Sequence, residues 1–218
     1  MAADVGKGFD RLAAIYDGLA RAVYGKSIRR AQLHFLDQWP KGATVLIVGG
    51  GTGWFLEAVL RKTDPRKVYY IELSEKMLEK SAALIREQLP AALPRVEFRR
   101  GTVHDQAPPA PVDIVVTHFY LDLFNGAELR GEIATLDAHL RPGGYWSLAD
   151  FAYVERGIMR PVARFLVAGM YFFFRLAAGI RSRKLEVYPD HLAKSGLIPQ
   201  AEARYYGGMI RASWHRKE

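Results

Sequence analysis

The chain has 218 residues and contains no cysteine. Disulfide bridges, thiolate metal ligands and cysteine nucleophiles are therefore excluded, and a cytoplasmic location is expected. The histidines other than His118 show no metal-binding spacing such as H-E-x-x-H. We therefore predict that the protein has no metal site.

Long apolar runs are also missing. The most apolar stretch, residues 165–174 (FLVAGMYFFF), is ten residues long and is bounded by Arg164 and Arg175. A bilayer span needs about 20 apolar residues. The N-terminal sequence lacks the apolar core and cleavage site of a signal peptide. We expect neither a transmembrane helix nor export by a signal peptide.

Acidic residues are outnumbered by basic ones, 23 against 31, which gives a formal net charge of +8. The excess is heaviest near the C-terminal third, at Arg156, Arg160, Arg164, Arg175, Arg181, Arg183 and Lys184. This balance favours an anionic small molecule, an anionic membrane surface or nucleic acid, while a solvated basic face is the commoner explanation. Because no basic run is interleaved with stacking aromatic residues, no nucleic-acid partner is expected.

Strand-like and helix-like segments alternate along the chain. Residues 8–38 have a helical spacing interrupted around Gly18 and Gly25, which predicts two helices before the first strand. The predicted strands lie at 44–48, 67–73, 95–100, 112–119 and 143–151, with two late strands at about 200–206 and 208–215. The predicted later helices lie at 54–62, 74–89, 127–140, about 155–183 and about 188–195, the second with Ser74 as N-cap. This alternation indicates βαβ units and a mainly parallel sheet in an α/β fold.

A glycine cluster, Gly49–Gly53 (GGGTG), follows the first strand and opens a helix. Its backbone can approach a ligand closely and present N–H groups, so a nucleotide-like ligand is implied. The dinucleotide fingerprint G-x-G-x-x-G does not fit, because Trp54 or Leu56 stands where the last glycine would be. A phosphate-binding G-x-x-x-x-G-K-[ST] loop is absent as well.

Glu72 ends the second strand, 19 residues beyond Gly53. A carboxylate at this spacing can accept both ribose hydroxyls of an adenosine. The alternative is that Glu72 merely caps the following helix.

Several segments in order resemble the class I S-adenosylmethionine-dependent methyltransferases, especially the ubiquinone/menaquinone-biosynthesis-like branch. They are VLIVGGGTGWFLE, YYIELSEKMLEKS, VDIVVTHFYLDLF and LRPGGYWSLAD, with FDRLAAIYDGL before them and LAKSGLIPQAEARYYGG after them. The resemblance implies a Rossmann-like seven-stranded sheet with its last strand antiparallel and helices on both faces. It also implies S-adenosylmethionine at the carboxyl ends of the strands and methyl transfer to a small acceptor above strands four and five.

The resemblance also implies the cofactor-binding residues. They are Tyr16, Gly49, Gly50, Gly51, Thr52, Gly53, Glu72, Leu73, Met77, Thr102, Val103 and His118. Two positions depart from the family pattern: Ile47 stands where an acidic residue is frequent, and Thr102 replaces the aspartate that would bind the adenine amino group. Thr102 can accept one such hydrogen bond, and Asp105 is the alternative.

The predicted catalytic residues follow the fourth and fifth strands: His118, Tyr120, Asp122 and Asp150. A histidine with its ordinary pKa suits general-base catalysis near neutral pH. A buried structural histidine is the alternative for His118. A base is needed only when the acceptor atom carries a proton at neutral pH.

One methyltransferase domain is expected over residues 1–218. It comprises N-terminal helices (1–40), a cofactor-binding core (41–154), a helical acceptor lid (155–196) and closing strands (197–218). The aromatic residues at 171–174 either wall a lipophilic acceptor cavity or form core or dimer packing, so the chain is expected to be a monomer or homodimer. If these aromatic residues wall an acceptor cavity, an amphiphilic acceptor and peripheral membrane contact are expected. The competing functions are a catalytically silent S-adenosylmethionine-binding protein and a nicotinamide-dependent oxidoreductase.

Overall fold

The computed structural model describes residues 24–154 and 189–218. Tyr16, the first predicted helix, the helical insert at 155–183 and the basic cluster between Arg156 and Lys184 lie outside the described residues.

The secondary structure follows the predicted alternation. The strands are β1 (Thr44–Val48), β2 (Lys67–Glu72), β3 (Val96–Arg100), β4 (Val112–His118), β5 (Leu140–Phe151), β6 (Leu197–Tyr205) and β7 (Ile210–Lys217). The α-helices are α1 (Ser27–Leu33), α2 (Trp54–Lys62), α3 (Glu75–Gln88), α4 (Val103–Gln106), α5 (Gly126–Ala138) and α6 (Pro189–Lys194). Short 3-10 turns cover Leu36–Gln38, Pro90–Arg95, Leu121–Leu123 and Tyr206–Gly208.

All seven strands form one sheet in the order β3-β2-β1-β4-β5-β7-β6. The pairings among β1 to β5 are parallel, and β7 runs antiparallel to both β5 and β6. The Rossmann-like fold class with an antiparallel last strand is therefore confirmed. Between residues 24 and 154 and from 189 onward, no helix has the length and apolar character needed to cross a membrane.

Helices cover both faces of the sheet, because its central strands are apolar on both sides. In β1, Val45 and Ile47 face one core with Phe55 and Val59 of α2. Leu46 and Val48 face the other core, which α5 and α6 complete through Leu129, Ile133, Leu136 and Leu192. Because β1 to β5 are parallel, their carboxyl ends meet at one edge of the sheet, where the predicted site residues that the structure describes lie.

Element boundaries differ from the predicted ones before β5 and near the C-terminus. The helix predicted at 127–140 ends at Ala138, and the strand predicted at 143–151 begins at Leu140. The strand predicted at about 200–206 begins at Leu197, because Leu197 already pairs with Lys217. The following strand begins at Ile210, since the turn before it contains Gly207 and Gly208, with φ of 64° and 90°. Ser74 is the N-cap of α3, where its side chain accepts a hydrogen bond from the Met77 amide, as predicted.

Candidate active site

The glycine turn (Gly49–Gly53) joins β1 to α2 and lies in close contact with the side chains around it. A Cβ on Gly50 would lie 2.2 Å from the Tyr70 ring, and one on Gly49 would lie 2.6 Å from the Tyr120 ring. Gly51, with φ of 69°, is different, because a Cβ there would meet no atom within 4 Å. The turn therefore packs against the protein at Gly49 and Gly50 and is open at Gly51.

Glu72 lies directly beside this turn, at the carboxyl end of the neighbouring strand. Its Oε2 accepts a hydrogen bond from the Gly51 amide and its Oε1 accepts one from the Ser74 amide, both at 2.8 Å. The residue is 6% exposed. Because the Ser74 hydroxyl caps α3, Glu72 does not provide the side-chain cap of that helix. Its carboxylate is oriented by two backbone amides at the edge of the sheet.

The other predicted cofactor residues surround these two elements. Met77 and Val103 are buried, while Leu73, Thr52 and Thr102 are partly exposed. Beyond β3, the Thr102 hydroxyl donates to Asp105 Oδ2 at 2.8 Å. The two residues considered for adenine recognition thus form one polar pair.

His118 ends β4 in an apolar setting. Its ring centroid lies 4.4 Å from that of Phe55, and its Nε2 lies 3.2 Å from the Ser147 hydroxyl. Burial lowers the pKa of His118 to about 3, so the imidazole is neutral and weakly basic at neutral pH. This environment opposes the general-base role that an ordinary histidine pKa suggests.

Tyr120 lies two residues farther on and points its hydroxyl at a buried carboxylate. The hydroxyl donates to Glu132 Oε1. Burial and the charge of Glu132 raise the pKa of Tyr120 well above its ordinary value, so the phenol keeps its proton.

Asp122 and Asp150 form a buried pair at the ends of β4 and β5. Asp150 Oδ2 accepts from the Asp122 amide at 3.2 Å, and Asp150 Oδ1 accepts from the Phe151 amide at 2.9 Å. Burial raises the pKa of Asp122 to about 7. Burial and the charge of Asp122 raise the pKa of Asp150 well above its ordinary value, while Arg211, opposite Asp150 on β7, lowers it. Both carboxyl groups therefore keep a proton to higher pH than a free aspartate does.

Four aromatic side chains lie next to one another around this pair. The ring centroids of Tyr24 and Phe151 are 5.1 Å apart, those of Tyr24 and Tyr206 are 5.4 Å apart, and those of Phe119 and Phe151 are 5.0 Å apart. Burial, with the charges of Tyr206 and Asp122, raises the pKa of Tyr24 to about 12. The acid pair thus has an apolar, aromatic neighbourhood.

Several of these residues were not predicted as site residues: Tyr24, Phe119, Glu132, Arg211 and Tyr206. Phe119 directly follows the fourth strand and could have been found from that position. Its φ of 54° is unusual for a residue with a large side chain and marks local backbone strain at the sheet edge. Arg211 carries no local signal, because it meets Asp150 only through strand pairing.

Comparison with protein families gives one match. Residues 46–146 match the family described as a methyltransferase domain, a little under half of the chain. The matched segment contains the glycine turn, Glu72 and the acidic residue after β4. No curated protein matches the sequence.

Solved structures share the fold. Mitomycin 7-O-methyltransferase MmcR has a TM-score of 0.65 and 18% identity, over 89% of this chain and 55% of that one. The Burkholderia thailandensis 1,6-didemethyltoxoflavin N1-methyltransferase, solved with 1,6-didemethyltoxoflavin and S-adenosylhomocysteine, has a TM-score of 0.68 and 18% identity, over 97% of this chain and 87% of that one. A Planctomyces limnophilus O-methyltransferase family 2 protein, solved with apigenin, has a TM-score of 0.68 and 18% identity, over 94% of this chain and 62% of that one.

These similarities show a common fold, and the chain spans about half of the length of MmcR. The sheet order defines a Rossmann-like α/β protein, the fold that these solved methyltransferase structures share. Together with the family match, it supports a class I S-adenosylmethionine-dependent methyltransferase.

The low proton affinity of His118 gives a testable pH dependence. Its folded pKa of about 3 lies below the ordinary value of 6.5, so the unfolded chain binds more protons between these values. The contribution of His118 to the free energy of unfolding is thus fully present above pH 6.5. It is lost as the pH falls, at up to about 1.4 kcal/mol per pH unit.

We expect a His118→Phe variant to gain stability relative to the wild type as the pH falls from 7.5 to 4.5. Urea unfolding monitored by circular dichroism at several pH values measures this difference. A difference that stays constant across the range would contradict the assignment of His118 as a buried neutral base.

Proposed function

We propose that this protein transfers the methyl group of S-adenosylmethionine to a small acceptor at the carboxyl ends of β4 and β5. The observation that carries the proposal is the 2.8 Å hydrogen bond between the Gly51 amide and Glu72, inside the segment that matches a methyltransferase domain. This hydrogen bond joins the glycine turn to Glu72, at the end of β2, in one site.

The residues of this edge fit an adenosyl cofactor. Gly51 has open space on its outer side. A carboxylate can accept about four hydrogen bonds in total, and two backbone amides orient that of Glu72 toward the glycine turn. Leu73, Met77, Thr102 and Val103 would surround the nucleoside, and Tyr16 lies outside the described residues.

Catalysis requires alignment and, for a protonated acceptor, a base. The cofactor supplies an already activated methyl group, and alignment of the two reactants alone can lower the barrier by about 7–11 kcal/mol. We assign proton removal to the Asp122–Asp150 pair, because burial raises the pKa of Asp122 to about 7 and a pKa near the working pH suits a general base. His118 packs against Phe55 at the same edge of the sheet as the acid pair. The Tyr120 hydroxyl donates its hydrogen bond to Glu132.

An aromatic or otherwise lipophilic acceptor suits this site best. Phe151 directly follows Asp150, and the rings of Tyr24, Phe119 and Tyr206 form a chain of aromatic contacts with it. Two of the solved neighbours were crystallised with ring compounds, 1,6-didemethyltoxoflavin and apigenin. The ubiquinone-like branch is compatible with this acceptor class and stays part of the proposal.

Isothermal titration with S-adenosylmethionine, S-adenosylhomocysteine and NADH tests the cofactor. Binding of the first two but not of NADH is expected, and binding of NADH alone would favour an oxidoreductase. Transfer of labelled methyl groups to a panel of phenols, quinols and polar amines then separates an enzyme from a silent binding protein. Cofactor binding without transfer to any acceptor would favour the silent protein.

The wider assignments belong to the same proposal: a cytoplasmic protein, monomeric or homodimeric, with an amphiphilic acceptor and peripheral contact with anionic membranes. Their main support is the basic cluster and the apolar stretch at 165–174, which lie outside the described residues. Co-sedimentation with anionic and neutral vesicles tests the membrane contact. Equal pelleting with both vesicle types would contradict a preference for anionic membranes. Pelleting with neither would contradict membrane contact altogether.

The glycine turn provides a matched pair of variants. Gly50→Ala would place a Cβ 2.2 Å from the Tyr70 ring, so a stability loss of about 1–3 kcal/mol is expected from overpacking. Gly51→Ala has open space around it and is expected to lose about 1–2 kcal/mol through backbone strain.

The two variants should differ in their effect on ligand binding. The new methyl group of Gly51→Ala would occupy the open side of the turn, so S-adenosylhomocysteine binding should weaken at least tenfold. Calorimetry and urea unfolding measure the two effects. Unchanged affinity in folded Gly51→Ala would remove this turn from the cofactor site.

A further inference from the structure

A buried carboxylate on α5 is not used by the proposed chemistry. Glu132 is 4% exposed, and a carboxylate in such surroundings is stable only when hydrogen-bonded. Its Oε1 accepts from the Tyr120 hydroxyl, and its Oε2 lies 2.8 Å from His104 Nε2, which donates because a carboxylate only accepts. Glu132 therefore connects the segment after β4 with α4.

Each of these contacts leads to one end of the cofactor site. The Tyr120 ring lies so close to Gly49 that a Cβ there would come within 2.6 Å of its Cδ2. His104 is two residues beyond Thr102 in the turn after β3, and its Nδ1 lies 3.4 Å from the Thr135 hydroxyl on α5. The chain of contacts thus runs from the glycine turn to the turn assigned to adenine.

Packing of α5 on the sheet does not require this carboxylate. The other buried residues of the helix, Leu129, Ile133 and Leu136, are apolar and face the same core as Trp146 and Leu148. A leucine at position 132 would satisfy such packing without the desolvation of a charge. A polar role at this position is therefore indicated.

We propose that Glu132 is a positioning residue of the cofactor site. By holding Tyr120 and His104 at once, it fixes the separation between the glycine turn and the turn after β3. It acts on the cofactor through these two residues. The inference rests on the proposed function, since it presumes that the two turns bind one ligand.

Calorimetric titration of S-adenosylhomocysteine into the full-length chain tests the proposal, with thermal unfolding measured in parallel. Glu132→Ala should raise Kd at least tenfold. Glu132→Gln should stay within threefold of the wild type, because its amide can accept from Tyr120 and donate to His104. Tyr120→Phe should raise Kd at least threefold alone and less than twofold in the Glu132→Ala background.

Lys217→Met is the matched control. Lys217 Nζ on β7 donates to the Asp137 carbonyl at 2.6 Å, so it also holds α5 but at the opposite end of the sheet from the site. This variant should lower the melting temperature and leave Kd unchanged. Glu132→Ala with a lowered melting temperature and wild-type Kd would overturn the proposal.

If Glu132→Ala does not fold, Tyr120→Phe decides, and unchanged affinity in that variant overturns the inference. A wild-type protein that binds no S-adenosylhomocysteine overturns the proposed function itself, and the positioning role with it. Normal wild-type binding combined with unaffected variants leaves the function standing and removes only the role of Glu132.

Discussion

A Glu72→Ala variant is expected to bind S-adenosylhomocysteine about 10–150-fold more weakly than the wild type. The substitution removes the charged hydrogen bonding proposed to the ribose, worth about 1.5–3 kcal/mol in total. The same carboxylate also accepts from the Gly51 and Ser74 amides, so the turn loses its anchor as well. Calorimetry measures the affinity, and circular dichroism establishes that the variant is folded.

Glu75→Ala is the control for this variant. Glu75 lies three residues beyond Glu72, is exposed, and pairs with Arg100 at 3.0 Å on the surface. Such exposed pairs contribute about 0–1 kcal/mol, so neither affinity nor stability should change much. A folded Glu72→Ala protein with wild-type affinity would refute the assignment of the ribose site.

Asp150→Asn is expected to slow methyl transfer to a protonated acceptor by about 10²–10⁴-fold, the usual contribution of a general base. In the wild type, kcat/KM should rise as the pH passes about 7, the pKa to which burial raises Asp122 in this pair. The defect should shrink at high pH, because an acceptor that ionises in solution needs no base. Full turnover in Asp150→Asn at neutral pH would show that the acceptor arrives deprotonated.

The same substitution should stabilise the protein above neutral pH. The folded pKa values of the pair lie above the unfolded value of 3.8, so the pair's contribution to stability is fully present below pH 3.8. That contribution is lost as the pH rises through the raised pKa values, of which that of Asp122 is about 7. Asparagine resembles the neutral acid, so Asp150→Asn should unfold at a higher urea concentration than the wild type at pH 8.

Asp113→Asn provides the contrast, because Asp113 lies at the start of β4, away from the site. The Thr44 amide and Arg141 hold the pKa of Asp113 below its ordinary value, although burial acts in the other direction. Its contribution is therefore present above the unfolded pKa, and the substitution should destabilise the protein at pH 8. Equal effects of the two substitutions would contradict the opposite pKa directions.

The sequence alone determined the succession of strands along the chain, the glycine turn and the position of Glu72. These features are local: a β-branched run, glycines and an acid at fixed spacing arise from neighbouring residues and need no knowledge of distant contacts. The N-cap at Ser74 was predictable for the same reason. The fold class followed because strands alternating with helices allow few topologies.

Only the tertiary structure decided what the residues after β4 and β5 can do. His118 and Asp122 lie four residues apart, yet burial lowers the pKa of the histidine to about 3 and raises that of the aspartate to about 7. Glu132 reaches Tyr120 and His104 only because α5 packs beside both the segment after β4 and α4. Proton affinity depends on burial and on partners distant in the chain, and the spacing of residues in a sequence contains neither.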